Sequence, residues 1–364
     1  VSERSRVHAL ARQLRSRGVD ALLVSEPVNV RYLTGFTGSN GMALLAAEPE
    51  GPHVFLTDFR YATQSAGQVC ELFRRELAPT NLLEGVGEAL GTPQGTRLGF
   101  DDAALSVRQH TRLHELLGGG VELVPCGGAV EELREVKDER ETACIRAAAQ
   151  LADEALSGVL EAGIAGRSER DVAIELELRM RRLGAAGASF PSIVASGAHG
   201  ALPHAEPRDE PIARGSLVTI DWGCVLEGYC SDCTRTYAVG GVGEEAREVY
   251  ELVLMAQGAA LAELRPGPSG REIDAHARQA IENAGHGEHF GHGLGHGVGM
   301  EVHEGPRLSR TAGERPLRAG NVVTVEPGIY LPGRLGVRIE DLAVLTADGH
   351  ELLTSLPKVL TVVD

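Results

Sequence analysis

The sequence predicts an α/β (α+β) protein of two domains, a small N-terminal α/β domain over residues 1–128 and a larger domain over 129–364 built from a duplicated α/β unit. Three observations carry this. Helix-period and strand-period segments alternate through residues 1–125. A Gly-rich and then charged run, "PCGGAVEELREVKDER" (125–140), breaks that alternation and reads as a linker. Beyond it, a series of helix, cap, helix and carboxylate-bearing hairpin occurs twice, with 101 residues between the two caps.

In the first domain, "ERSRVHALARQLRSRG" carries Val7, Leu10, Ala11 and Leu14 at helical spacing and stops at Gly18. The segments 19–25, 41–47, 53–58 and 96–101 read as strands, and "LSVRQHTRLHELLGG" as another helix. In the second domain, long helix patterns span 139–161 and 244–264. Each leads to a second helix opened by a capping pattern, Ser168-x-x-Asp171 and Ser269-x-x-Glu272. Each pair runs on into β-like sequence with two acids, Asp221 and Asp232 in one half, Glu326 and Glu340 in the other.

Composition narrows the function. With 35 Lys+Arg against 51 Asp+Glu, the net charge is −16. Such a surface is repelled by phosphate backbones and anionic lipid, so nucleic acid and membranes are expected not to be partners. The charged opening has no apolar stretch of signal-peptide length, and no later stretch reaches the roughly 20 apolar residues of a membrane span, so a cytoplasmic setting is expected. Six cysteines in a chain this long do not make a disulfide framework, and "CSDC" (230–233) lacks the second ligand pair that zinc would need. Packed, reduced thiols are expected.

"SLVTIDWGCVLEGYCSDCTRTYAV" (216–239) reads as two strands around a turn near Leu226-Glu227-Gly228. A hairpin centred between 226 and 227 would make Asp221 and Asp232 cross-strand partners, with Cβ atoms about 5 Å apart. Like charges so placed are destabilising, and the apolar flanks Val218, Ile220, Trp222 and Val225 argue against a solvated pair. "NVVTVEPGIYLPGRLGVRIEDLAVL" (321–345) repeats the logic, with Glu326 and Glu340 mirrored about Gly333. Four inward acids with no lysine nearby are explained by a pair of divalent metal ions, the arrangement used in two-metal hydrolysis.

"HFGHGLGHGVGMEVHEGP" (289–306) holds four of the 13 histidines. Neutral imidazole suits first-row transition ions, so acids plus histidine favour manganese, cobalt or zinc over magnesium or calcium. Glycines around His292 and His296 would let the backbone pass close to a cofactor.

These segments together, "TIDWGCVLEGYCSDCTRTYAVG", "HGLGHGVGMEVHEGP", "TVEPGIYLPG" and "VRIEDLAVL", resemble the creatinase/methionine-aminopeptidase ("pita-bread") metallopeptidases, and within them the Xaa-Pro peptidases. "SGAHGALPHAEP" (196–207), "LREVKDERETACIRAAAQLADEAL" and "VNVRYLTGFTGSNG" extend the likeness along nearly the whole chain. The resemblance implies a creatinase-like N-terminal domain and a pseudo-twofold pita-bread catalytic domain. It also implies a homodimer acting on proline-containing peptides with two divalent ions, manganese foremost.

By that resemblance the metal ligands are Asp221, Asp232, His296, Glu326 and Glu340, with Asp232 and Glu340 bridging. Glu326 is also the general base for an attacking hydroxide, which metal binding makes available near neutral pH. His204 and His303 would stabilise the tetrahedral intermediate, a role worth about 3 kcal/mol per donor in other hydrolases. His292 would line the proline pocket, Arg338 would anchor the metal-site carboxylates or the substrate, and Tyr330 would sit beside the pocket. His286 and His289 match no functional position and read as surface polar residues.

An Xaa-Pro bond is a tertiary amide without an N–H, awkward for peptidases that grip that donor. Among Xaa-Pro enzymes, "YLTGFTGSNG" and "LTDFRYATQ" (56–64) resemble the N-terminal domain of aminopeptidases P, so an activity of aminopeptidase P type is expected. The alternative is a prolidase restricted to dipeptides, in which Arg307 would clamp the free carboxylate. Methionine aminopeptidase usually lacks a separate N-terminal domain. Metal-free creatinases and non-enzymatic binding modules lack the full ligand set, and a dinuclear phosphoesterase would need phosphate-binding loops that are not evident.

Overall fold

The protein is described by a computed structural model covering residues 2–78, 81–91 and 94–364. It forms two compact units that divide between Arg134 and Glu135.

The N-terminal unit is built on a six-stranded mixed sheet, ordered Phe73–Leu77, His53–Thr57, Gly41–Ala46, Ala21–Val24, Thr96–Phe100, Val121–Pro125. The middle strands are apolar and buried, as strands covered on both faces must be. Helix Glu3–Ser16 buries the expected Val7, Leu10, Ala11 and Leu14. The two outer strands, "FRREL" and "VELVP", are not evident in the sequence pattern. Both lie at sheet edges, where exposed and charged side chains replace the apolar run that marks an inner strand.

In the second unit each half packs a helix pair on a sheet. The first pair is Glu139–Glu161 and Glu169–Arg182. It buries Leu156, Val172 and Leu176 against Val218, Ile220 and Trp222. The second pair is Glu244–Glu263 and Gly270–Asn283, and it buries Val253, Ile273 and Ile281 with Val323, Val325 and Val337. The duplication extends to detail. Ser168 accepts from the Asp171 N–H and Ser269 from the Glu272 N–H, and each serine forms an isolated β-bridge, to Pro211 and to Pro316 respectively. Only the second cap is reciprocal, with the Glu272 carboxylate accepting from the Ser269 N–H.

The first-half sheet runs Val362–Val363, Cys233–Val239, Leu217–Trp222, Ile193–Ser196. The second-half sheet runs Glu304–Leu308, Gly295–Gly297, Val322–Val325, Asp341–Leu345, His350–Leu352, with the ribbon Gly328–Leu331/Leu335–Arg338 beside it in sequence. Among the described residues, no helix is long and apolar enough to cross a membrane.

Candidate metal centre

The first hairpin departs from the expected register. Leu226 pairs with Tyr229, so the turn is Glu227-Gly228, both with positive φ (51° and 86°), as a two-residue hairpin loop with right-twisted strands requires. Asp221 therefore lies opposite Thr234, not Asp232. Asp232, two residues before Thr234, is a diagonal neighbour of Asp221 on the same face, which still brings the two acids together. The ladder opens at Gly223, where a Cβ would strike the Ser231 carbonyl. The second hairpin has the expected register. Leu331 pairs with Leu335 and Gly328 with Arg338 around Gly333, and Val325 with Asp341 beyond, leaving Glu326 and Glu340 mirrored at the junction.

Asp221, Asp232 and Glu340 each offer an oxygen within 4.8 Å of the others. His296 Nε2 stands 3.4 Å from Glu326 Oε1 and 3.6 Å from Asp232 Oδ2. All five expected ligands are thus gathered in one place. His296 Nδ1 lies 3.1 Å from the Gly297 carbonyl, which can only accept, so Nδ1 carries a proton and Nε2 faces the acids.

The two glycines that flank His296 have a packing role. A Cβ at Gly295 would strike the Thr324 carbonyl and one at Gly297 the Gly305 carbonyl, so they let this short strand fit between its two neighbours.

Burial raises the pKa of Asp221, and burial together with neighbouring carboxylates raises Asp232 and Glu340 well above the usual range. Glu326 moves the other way: burial opposes ionisation, but the contact with His296 outweighs it. The Oδ1 atom of Asp221 is buried without a hydrogen-bond partner. A buried nest of acids with an orphaned oxygen and an imidazole at its edge is the donor chemistry of a divalent-ion site. The residues present fit metal ions.

Arg338, 4% exposed, braces this nest. Its Nη2 donates to Asp221 Oδ2 (2.7 Å), Nε to Thr234 Oγ1 (3.0 Å), and Nη1 to Tyr330 Oη (3.0 Å) and the Pro203 carbonyl (3.2 Å). Of the four acids it contacts Asp221, and it also lines the cleft. Because arginine only donates, Tyr330 Oη accepts there and gives its proton to His292 Nε2, 2.9 Å away. His292 Nδ1 then donates to the Gly293 carbonyl (2.7 Å), and burial lowers the pKa of this neutral ring.

A cleft of about 830 Å³ opens over the acids. His204, His292, His303, Arg307 and Tyr330 line it with the five ligands. His204, His303 and Arg307 are solvent-exposed on its walls, and the His303 ring meets the His296 ring edge-on at 4.3 Å. His286 and His289 do not line it and contact each other instead, Nδ1 to Nδ1 at 3.3 Å.

Several supporting groups escape a sequence reading. Thr234 donates to Glu340 Oε2 (2.7 Å), and Thr324 Oγ1 to Glu326 Oε1 (3.2 Å). Arg235, 1% exposed, donates to Asp341 Oδ1 (2.9 Å) and to the Glu340 carbonyl, holding that ligand's backbone. Lys137 Nζ pairs with Glu304 Oε1 (2.6 Å) in a buried contact, Glu304 being the residue after His303. It lies far upstream in the chain, where only folding reveals its neighbour. All six cysteines are free, and burial pushes the thiols of Cys224 and Cys230, near the hairpin turn, up to about 11 and about 12.

The model of metallopeptidase family M24 matches residues 143–347, and that of the creatinase/prolidase N-terminal domain matches residues 6–136. An Xaa-Pro dipeptidase of Pyrococcus horikoshii is 36% identical over 343 residues, 94% of each chain. The solved structure of an Xaa-Pro dipeptidase from Bacillus anthracis shares 37% identity and a TM-score of 0.93 over 99% of both chains. That of an X-Pro aminopeptidase from Thermotoga maritima shares 35% and 0.88 over 96% of this chain and 99% of its own. The chain belongs to metallopeptidase family M24 and is an enzyme of the pita-bread fold.

Proposed function

We propose that this metallopeptidase is an Xaa-Pro dipeptidase. The observation that carries the reading is a cleft holding the five-ligand acid and imidazole cluster, with one exposed guanidinium, Arg307, on its wall. Full-length likeness to proteins named Xaa-Pro dipeptidase supports it over the aminopeptidase P reading, which becomes the alternative. That alternative retains the support of the Thermotoga maritima likeness and of the N-terminal segments 32–41 and 56–64.

Asp221, Asp232, His296, Glu326 and Glu340 would hold two divalent ions, for which we propose manganese ahead of cobalt or zinc. When bound, such ions polarise the scissile carbonyl and acidify water. Glu326, kept ionised by its contact with His296, accepts the proton of the attacking water. His204 and His303, both lining the cleft, donate to the oxygen that gains charge. Neutral His292, held by Tyr330, offers a proline ring an uncharged wall. Arg307 pairs with the free carboxylate of the dipeptide, a contact a longer peptide cannot make. A homodimer in a cytoplasmic setting completes the proposal, the first part measurable by light scattering.

Product analysis tests it, using chelator-stripped protein with and without manganese on an Xaa-Pro dipeptide and an Xaa-Pro-containing pentapeptide. Manganese-dependent cleavage of the dipeptide alone is expected. Release of the first residue from the pentapeptide would make it an aminopeptidase P. No metal-dependent cleavage of either would sink both.

A further inference from the structure

Glu169 is the first residue of the helix Glu169–Arg182, a place where a carboxylate normally faces water near the helix N-terminus. Here it is fully buried, 0% exposed. Its Oε1 accepts from the Ser196 N–H (2.8 Å), Ser196 Oγ (2.9 Å) and Arg208 Nη2 (3.2 Å). Its Oε2 accepts from His199 Nδ1 (2.9 Å), the Arg208 N–H (3.1 Å) and Arg208 Nε (3.2 Å). Burial alone would favour the neutral acid, but Arg208 and Ser196 outweigh it and hold Glu169 below its ordinary range.

These donors come from the two ends of one segment. Ser196 closes the strand Ile193–Ser196, His199 lies in the turn Gly197–Ala201, and Arg208 follows Pro207. Between them run Pro203, His204 and Glu206 on the wall of the cleft. The helix start adds backbone ties, with the Arg170 N–H on the Arg208 carbonyl (3.0 Å) and the Glu169 N–H on the Glu210 carbonyl (3.2 Å). At its middle the segment is fixed by Arg338 on the Pro203 carbonyl and by Gly200 packed against Gly336 too closely for a Cβ on Gly336. Glu169 itself does not line the cleft. One side chain outside the active site therefore closes the loop that carries His204.

We propose that Glu169 is a positioning residue that clamps residues 196–208 so that His204 meets the charge developing on the scissile carbonyl. This rests on the proposed reaction for its kinetic arm only. Without the clamp, His204 still enters the cleft but samples many positions, so the cost falls on the chemical step more than on binding.

The test is a double-mutant cycle of Glu169→Gln and His204→Ala in the metal-loaded enzyme, with metal content and hydrogen exchange measured on each variant. Glu169→Gln alone is expected to lower kcat on an Xaa-Pro dipeptide by about 10²-fold with KM changed far less, at wild-type metal content. Added to His204→Ala it should cost little more, because the group it positions is gone. Amide exchange should accelerate across 197–208 and stay unchanged across 217–239. Wild-type kcat in Glu169→Gln, an additive cycle, or exchange accelerated throughout the domain would each overturn the clamp. Should Glu169→Gln fail to fold, Arg208→Lys, which keeps the charge but loses the forked contact, takes its place in the cycle. If the wild-type enzyme cleaves no Xaa-Pro peptide, the reaction reading fails while the exchange arm still decides the clamp.

Discussion

Arg338 shows how one buried side chain can organise a site it does not ligate. Its planar guanidinium reaches Asp221, Thr234, Tyr330 and the Pro203 carbonyl at once. Through Tyr330 it dictates which nitrogen of His292 carries the proton. A lysine ammonium is a point charge and cannot fork in this way. Arg338→Lys should therefore cost about 10–100-fold in metal affinity or in kcat/KM, the range expected when an outer partner of a metal ligand is lost. Calorimetric titration with manganese beside steady-state kinetics measures both, and wild-type values in both would contradict the bracing role. Arg235 does comparable work on the backbone of Glu340, with Asp341 shared between it and Lys358 (2.6 Å).

At the scale of elements, the long helices of the second unit were legible because their signals are local. The pattern 139–161 is the helix Glu139–Glu161, and the one over 244–264 ends at Glu263. The two serine caps lie where the sequence placed them, and the reciprocal one at Ser269 gives a quantitative expectation. Ser269→Ala should lower stability by about 1 kcal/mol, read by chemical denaturation, with no change in metal content. Hairpin register was less legible. It depends on which two residues form the turn, and centring on 226 and 227 missed that Glu227 and Gly228 both take the left-handed conformation. The edge strands Phe73–Leu77 and Val121–Pro125 were missed for the opposite reason, since solvent on one side removes the apolar pattern.

Across the whole molecule, the metal centre is where the two halves of the duplication meet. Asp221 and Asp232 come from one half, and His296, Glu326 and Glu340 from the other. Four carboxylates, Asp232 and Glu340 buried and Asp221 and Glu326 partly so, repel one another at this junction, and bound cations would relieve it. A ligand that binds only the folded state at a hundredfold excess over its dissociation constant adds about 2.7 kcal/mol of stability. Chelator-stripped enzyme should therefore melt at lower temperature than the manganese-loaded form, with a midpoint that climbs with manganese concentration in calorimetry. A midpoint indifferent to chelator and metal would argue against ions at this junction. The Arg235–Asp341 pair, 106 residues apart in sequence, ties the same halves without a metal.

The two-domain α/β class, the long helices with their serine caps and the duplication were determined by the sequence itself. Each rests on periodicity or capping chemistry within a short stretch of chain, whereas the five proposed ligands were implied by family resemblance. Only the tertiary structure decided which cations answer which acids: Arg338 to Asp221, Arg235 to Asp341, Lys137 to Glu304, Arg208 to Glu169. Such pairs leave no local period to read. A buried charge is tolerated wherever folding brings it a partner, and that depends on distance in space rather than on separation along the chain.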